Sequence, residues 1–106
     1  MKIAVITGSS YGLGLSITKL LLSNDFKVYG ISRSEPPIKN SNFVWIKADL
    51  LNDNDLKNVS DKIKEEKIDL LVLASHGRSG LKHILMGSVA QKCVQISPCS
   101  VWVVKT

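Results

Sequence analysis

Five short apolar runs, separated by turns and by stretches of helical periodicity, constrain the fold of this 106-residue chain more than any other feature. The runs are Ile3–Ile6, Lys27–Ile31, Phe43–Ile46, Ile68–Leu73 and Val101–Val104. Short, continuous apolar runs are typical of strands that are buried on both faces of a parallel sheet. Strands that alternate with helices are joined by right-handed crossovers. The sequence therefore predicts an α/β fold of three layers, with a doubly wound, five-stranded parallel sheet.

Helices are predicted where apolar residues recur every three or four positions between these runs. The three apolar sets are Leu13, Ile17, Leu20 and Leu21; Leu56, Val59 and Ile63; and Leu85, Val89, Cys93 and Ile96. The pair Pro36-Pro37 marks a surface connection between the second and third strands. The chain contains no internal repeat or low-complexity segment, and its length fits one domain that spans residues 1–106.

Composition and charge limit the classes of partner. The apolar share of 44% and the charged share of 22% are those of a globular protein. The net charge of +5 comes mostly from lysines scattered over predicted helices and turns, which favours a solvated surface over a nucleic-acid-binding face. No apolar stretch is long enough to span a bilayer, and the first residues do not form a signal peptide. We therefore expect a cytoplasmic chain, if it is natural, that binds neither nucleic acid nor membrane.

The loop after the first strand, Thr7–Gly14, reads TGSSYGLG. A glycine-rich turn between a buried strand and a helix lets backbone N–H groups approach a diphosphate, and the helix N-terminus then faces the negative charge. This T-G-x-x-x-G-x-G pattern resembles the short-chain dehydrogenase/reductase family, and the resemblance covers about residues 1–70. It implies a cofactor-binding set of Gly8, Ser10, Tyr11, Gly12, Leu13 and Gly14.

Two further positions fit the same family. Arg33 follows the second strand, where no acidic residue is present to hold a ribose 2′-hydroxyl. An arginine at that place suits a 2′-phosphate, so the resemblance implies NADP rather than NAD. Asp49 and Leu50 follow the third strand, where the family places an aspartate beside the adenine. Taken singly, Arg33 is equally well explained as an exposed surface residue and Asp49 as a turn or helix-cap residue.

The residues that carry the family's reductive step are missing from the pattern. That step needs a tyrosine and a lysine four positions later, with a serine upstream. Tyr11 and Tyr29, the only tyrosines, are followed at that distance by Leu15 and Arg33. Neither tyrosine can form the pair of general acid and lysine partner. The sequence therefore predicts no catalytic residues and a chain that is not an enzyme.

From the fourth strand onward the sequence resembles a different family, the universal stress proteins, over about residues 70–106. The matching segments are Leu70–Lys82, Gly87–Lys92 and Ser97–Val104. ATP-binding members of that family carry G-x-x-G, nine residues and then G-S. In this chain Ala74 replaces the first glycine, and Gly77, nine residues and Gly87-Ser88 follow. The resemblance implies that the phosphates of ATP are contacted by Gly77, Arg78, Gly87 and Ser88. This chain has Thr7-Gly8 where the ATP-binding members place an aspartate after the first strand.

Two other kinds of site find less support in the sequence. Ser75-His76 suggests a nucleophile with its base, but adjacent side chains seldom face one another and no acid is evident to orient His76. His83, Cys93 and Cys99 lack the paired spacing of zinc ligands. The sequence therefore predicts no metal site.

The two resemblances meet between Asp69 and Ala74, inside the predicted fourth strand. Both families imply the strand order 3-2-1-4-5 of a Rossmann-like or flavodoxin-like sheet, so a joint in that strand leaves the topology intact. The sharp boundary favours an engineered chimera of residues 1–69 and 70–106, without catalytic activity and with no required cofactor, over natural recombination. The alternative is a weak nucleotide-binding module for NADP(H) or ATP in the crevice between strands 1 and 4.

Two features bear on partners. Arg33 and Arg78 are the only arginines, and both follow predicted strand ends, which suits a small-molecule nucleotide or a free phosphate. Val101–Val104 is a short, uncharged edge strand, which is prone to pair with another chain unless it is covered. Because stress proteins commonly pair this strand across a two-fold axis, the resemblance implies a homodimer. The alternative is a monomer whose edge is protected by Lys105 and the end of the chain.

Overall fold

The computed structural model describes residues 1–7, 12–49, 52–63, 66–75 and 100–105 of the chain. The elements in chain order are β1 (Lys2–Thr7), α1 (Gly12–Ser23), β2 (Phe26–Ser32), β3 (Phe43–Lys47), α2 (Asp53–Ile63), β4 (Leu70–Ser75) and β5 (Ser100–Lys105). All neighbouring strands are parallel, and their order across the sheet is β3-β2-β1-β4-β5. The predicted five-stranded parallel sheet and its strand order are confirmed. The helix predicted around Val89 lies outside the described residues.

The two faces of the sheet carry separate apolar clusters, because side chains alternate between the faces along each strand. Ala4 and Ile6 of β1 belong to the cluster that Leu21 of α1 covers. Val5 points to the other face, where its cluster includes Val59 of α2. All five side chains are buried, three of them completely. Helices therefore cover both faces of the sheet, which confirms the three-layer α/β architecture.

Helix α1 packs on the sheet through a stripe that differs from the predicted one, because Leu13 and Leu20 are 43% and 62% exposed and Ile17 is only partly buried. Its buried residues are Gly14, Thr18 and Leu21. At the end of the helix, the side-chain amide of Asn24 donates to the Leu20 carbonyl at 2.8 Å. Asp25 then adopts a φ of 64°, in the left-handed region that aspartate tolerates better than most residues. This two-residue turn leads the chain directly into β2.

The fourth strand begins two residues later than the apolar run that predicted it. The Ile3 N–H donates to the Asp69 carboxylate at 2.8 Å, and the Asp69 N–H donates to the Ile3 carbonyl at 2.8 Å. The carboxylate thus accepts the bond that a strand carbonyl would otherwise accept. Regular pairing with β1 starts one residue on, at Leu70 opposite Ala4. Ile68 remains buried in the core although it precedes the strand.

Candidate functional site

The carboxyl ends of β1, β2 and β3 lie side by side at one edge of the sheet. Thr7 of β1 is in register with Ile31 of β2, and Ser32 of β2 is in register with Lys47 of β3. Neighbouring strands are about 4.8 Å apart, so the residues that follow these ends are close in space. The strand order reverses between β1 and β4, and ligands of doubly wound sheets bind outside the carboxyl ends at such a point. This edge is the candidate site.

The N-terminus of α1 supplies the first part of the site. Gly12 opens the helix with a φ of 62°, which is strained for residues that have a Cβ. Gly14 is buried, and its carbonyl accepts a 2.8 Å hydrogen bond from the Thr18 hydroxyl. Leu13 between them is 43% exposed. The remaining predicted residues of this loop, Gly8, Ser10 and Tyr11, lie outside the described residues.

Arg33 is exposed and directly follows β2, in a turn whose backbone is held on both sides. The Ser32 hydroxyl donates to the Ser34 carbonyl at 2.7 Å and accepts from the Trp45 indole N–H at 3.0 Å. The Ser32 carbonyl accepts from the Ala48 N–H at 3.0 Å. These three bonds fix the peptide groups around Arg33 while leaving its side chain at the surface. Among the described residues, no carboxylate forms a salt bridge with this guanidinium.

Asp49 is half-buried and lies two residues beyond β3. Its N–H donates to the Asp55 carboxylate at 2.8 Å, and its carbonyl accepts from the Asn52 N–H at 2.9 Å. The Asn52 side-chain oxygen accepts from the Asp55 N–H at 3.1 Å, which makes Asn52 the N-cap of α2. Asp49 is therefore not the cap of this helix, and its backbone is fixed beside the end of β3. Leu50 lies outside the described residues, as do Gly77, Arg78, Gly87 and Ser88.

Tyr29 forms a polar cluster that sequence reasoning missed. Its hydroxyl donates to the Glu66 carboxylate at 2.7 Å, and the Lys27 ammonium lies 5.2 Å from the ring centroid. Burial raises the pKa of Tyr29, and the hydrogen bond to Glu66 raises it further. Hydrogen bonding and charge interaction with Tyr29 raise the pKa of Lys27. Glu66 lies four residues before β4, so the cluster belongs to the opposite edge of the sheet from the candidate site.

A tyrosine with a raised pKa and a hydroxyl already committed to a carboxylate is poorly suited to protonate a substrate. The Tyr29 hydroxyl is thus engaged within the fold by Glu66, and its exclusion as a catalytic residue stays a prediction. Strand alternation brings Lys27 and Tyr29 to the same face of the sheet, so the sequence could have predicted their contact with each other. Glu66, which lies 37 positions further along the chain, gave no signal of its own.

The comparisons with known proteins divide between two families. The model of the universal stress protein family matches residues 56–105. The short chain dehydrogenase/reductase dpfgH of Gibberella zeae is 33% identical over 87 residues, which cover 67% of this chain and 25% of that protein. An uncharacterized oxidoreductase of Saccharomyces cerevisiae is 38% identical over 81 residues, covering 67% of this chain and 32% of its own length. The universal stress protein YxiE of Bacillus subtilis is 45% identical over 42 residues, covering 40% and 28%.

The chain is similar to both families. Its sequence therefore mixes dehydrogenase-like and stress-protein-like segments, as predicted. It spans about a quarter to a third of the length of these relatives. The relatives that cover two thirds of the chain carry the names of oxidoreductases. This finding overturns the prediction that the chain is not an enzyme. That prediction rested on the absence of one tyrosine–lysine pair, which does not outweigh the similarity to named oxidoreductases.

Solved structures agree on the fold. A short-chain dehydrogenase/reductase of S. cerevisiae superposes with a TM-score of 0.65 at 27% identity, covering 91% of this chain and 47% of that one. An oxidoreductase of Aeromonas hydrophila gives 0.76 at 20% identity, covering 91% and 55%. A short-chain dehydrogenase of Burkholderia cenocepacia, solved in complex with NADP, gives 0.61 at 24% identity, covering 69% and 33%. The predicted Rossmann-like fold is confirmed.

The described part of the chain contains neither a membrane-spanning helix nor a cluster of metal-binding side chains. No helix there combines the length and the apolar character that crossing a bilayer requires. The same residues contain no group of three or more His, Cys, Asp and Glu side chains that could hold a metal ion. His76, His83, Cys93 and Cys99 lie outside them, so the prediction of no metal site at these residues stays a prediction.

Proposed function

We propose that this chain binds NADP(H) at the carboxyl edge of β1, β2 and β3, as the nucleotide-binding part of an oxidoreductase of the short-chain dehydrogenase type. The observation that carries the proposal is Arg33, an exposed cation in a braced turn directly after β2. Its immediate neighbours Ser32 and Ser34 carry no charge, and the next carboxylate along the chain is that of Glu35, two residues on, so the Arg33 guanidinium is available to attract a 2′-phosphate. The NADP-bound dehydrogenase of B. cenocepacia, which shares the fold, adds support.

The other residues have distinct roles in this proposal. The N-terminus of α1, opened by Gly12, faces the diphosphate and offers N–H donors and the positive end of the helix dipole. Gly14 is buried and small, which permits close packing of the helix at its start. Asp49 lies at the adenine side of the site. Gly8, Ser10, Tyr11, Leu13 and Leu50 are proposed to complete the contacts.

Calorimetric titration with NADPH and NADH tests the proposal. A charge-assisted hydrogen bond contributes about 1.5–3 kcal/mol, so NADPH is expected to bind about tenfold or more tightly than NADH. Arg33→Gln should bring the two affinities close together while leaving that for NADH unchanged. Lys67→Gln removes the same charge near the opposite edge of the sheet and serves as the matched control. Equal affinities of the unsubstituted chain for the two dinucleotides would contradict the role of Arg33. If this chain bound neither dinucleotide, the proposal would be overturned.

ATP is the second candidate ligand, and the match of residues 56–105 to the universal stress proteins favours it. Gly77, Arg78, Gly87 and Ser88 are the proposed contacts to its phosphates. A bulky residue in place of Gly87 should then weaken the binding of ATP and leave that of NADPH unchanged. A bulky residue in place of Gly12 should weaken the binding of NADPH and leave that of ATP unchanged. If both changes weaken the same nucleotide, the two loops serve one site and the assignment to separate ligands is wrong.

We also propose that the chain is an engineered fusion of residues 1–69 with residues 70–106 and forms a single domain. The match to the universal stress proteins begins at residue 56, within α2, and continues to residue 105, so it includes β4, a strand that both parts of the sheet require. A fusion there conserves the pairing of β4 with β1 and with β5. Shared strand order is what would let two such segments form one core.

A homodimer through β5 is the last part of the proposal. In the described sheet β5 is an edge strand, and its Trp102 is 53% exposed. A lysine on an edge strand opposes association. Light scattering should therefore give a dimeric mass for the unsubstituted chain and a monomeric mass for Trp102→Lys. Leu20→Lys, which alters an apolar residue of α1 that is 62% exposed, should remain dimeric. A monomeric mass of the unsubstituted chain at high concentration would exclude the dimer.

A further inference from the structure

Lys47 brings a second positive charge to the edge of the sheet where Arg33 lies. It is the last residue of β3, it is exposed, and it pairs in register with Ser32, the residue before Arg33. Ile46 belongs to the core cluster on the α2 face, so alternation directs Lys47 to the face that carries α1. Within the described residues, no carboxylate forms a salt bridge with its ammonium group. Lys47 is therefore a cation at the end of the strand that neighbours the one Arg33 follows.

Trp45 connects the same strand to the turn that carries Arg33. Its indole N–H donates to the oxygen of the Ser32 hydroxyl. The Ser32 O–H remains free to donate its own hydrogen bond to a second acceptor. That acceptor is the carbonyl of Ser34, so the two bonds run in series from β3 to the far side of Arg33. Ser32 is 7% exposed, which keeps water from competing well for these bonds.

We propose that Lys47 is a second cation of the subsite for the ribose 2′-phosphate, and that Trp45 is a positioning residue that holds the Arg33 turn through Ser32. The inference rests on the proposed binding of NADP(H) and deepens it. The chemistry recognised is a phosphate monoester dianion on a ribose: a guanidinium contacts its oxygens from β2 and an ammonium from β3. A ribose with a free 2′-hydroxyl carries no negative charge at this position, so neither cation adds to its binding.

The test uses adenosine 2′,5′-bisphosphate and adenosine 5′-phosphate, which differ only in the 2′-phosphate. Lys47→Gln should lower the affinity for the bisphosphate about five- to tenfold and leave the affinity for the monophosphate unchanged. Exposed charge pairs contribute modestly to binding free energy, and contacts to phosphate contribute somewhat more. Lys67→Gln, the control at the opposite edge, should alter neither affinity by as much as twofold because solvent and salt screen distant charges.

Trp45→Phe keeps an aromatic ring at the end of β3 but removes the N–H donor. It should lower the preference for the bisphosphate by about threefold or more without changing the affinity for the monophosphate, a selectivity effect that general destabilisation would not produce. A spectroscopic readout is available because Trp45 and Trp102 are the only tryptophans. In a Trp102→Phe background, the bisphosphate should change the Trp45 emission and the monophosphate should change it less.

The outcomes separate this inference from the proposed function. If NADPH binds more tightly than NADH but Lys47→Gln leaves the preference for the bisphosphate intact, Lys47 is not part of the subsite and the proposed function stands. If Trp45→Phe weakens both adenosine phosphates equally, Trp45 has only a structural role. If the unsubstituted chain binds neither dinucleotide nor the bisphosphate, the proposed function and the inference fail together.

Discussion

Two hydroxyl side chains of β2 have partners that a single sequence does not reveal. Tyr29 donates to Glu66, and Ser32 accepts from Trp45. Each contact joins residues of different elements, and the strand register or the course of a loop decides whether they meet. Strand alternation predicts which face a side chain occupies but not its neighbour across the sheet.

The Tyr29 cluster should make stability sensitive to alkaline pH. The folded pKa of Tyr29 is raised above its ordinary 10.0, so the folded chain retains a proton that the unfolded chain loses near pH 10. The contribution of Tyr29 is therefore fully present below pH 10 and is lost as the pH rises through the higher folded pKa. Lys27, whose pKa is also raised, acts in the same direction above its ordinary 10.5.

Tyr29→Phe removes the hydroxyl and should cost about 1 kcal/mol of unfolding free energy at neutral pH, the usual contribution of one hydrogen bond. Urea titrations of both chains at pH 8 and at two values above 10 would measure the difference. We expect the extra unfolding free energy of the unsubstituted chain over Tyr29→Phe to become smaller at the alkaline pH values. A difference that stays constant over the whole range would show that Tyr29 does not titrate with the pKa shift described above.

The elements follow the sequence pattern closely, apart from their ends. The apolar runs predicted all five strands. In β1, β2 and β4 the reason is burial on both faces, whereas the edge strands β3 and β5 expose Val44 and Trp102. The start of β4 was predicted two residues early because Ile68 is apolar and buried although it lies outside the strand. Asp69 provides the reason, since its side chain replaces a strand carbonyl as the acceptor from Ile3. In the candidate site, Arg33 and Asp49 were predicted from their positions directly after strands. Lys47 and Trp45 belong to no recognisable motif, so the sequence did not predict a role for either residue.

Helix α2 depends on its cap more than its composition suggests. Of the α2 side chains whose burial the structure describes, Val59 is the one that is buried, so we expect the bonds at the N-terminus to contribute noticeably to the helix. Asn52→Ala should lower the unfolding free energy by about 1 kcal/mol, as the loss of an N-cap typically does. Asn54→Ala makes the same chemical change at an exposed helical position and should cost less than half as much. Thermal unfolding of the two variants would compare them, and an equal loss in both would contradict the cap.

At the scale of the whole molecule, the sheet links two segments of different similarity. β1, β2 and β3 precede the proposed joint, whereas β4 and β5 follow it. β1 lies next to β4, so the backbone ladder between them connects the two segments directly. Apolar residues of both segments also share clusters, for example Val5 with Leu71 and Leu73 on the α2 face. Neither segment keeps its buried faces covered when the other unfolds, which is the physical basis for cooperative unfolding.

The two tryptophans allow this cooperativity to be measured, because Trp45 lies before the proposed joint and Trp102 after it. In Trp102→Phe the emission reports on the first segment, and in Trp45→Phe it reports on the second. Within each variant, the urea transition followed by fluorescence should coincide with the one followed by far-ultraviolet circular dichroism, as two-state unfolding requires. Comparing two probes in the same variant removes the effect of the lost Trp45 hydrogen bond on overall stability. Separate midpoints in either variant would mean that the segments unfold independently, and the single-domain proposal would then be wrong.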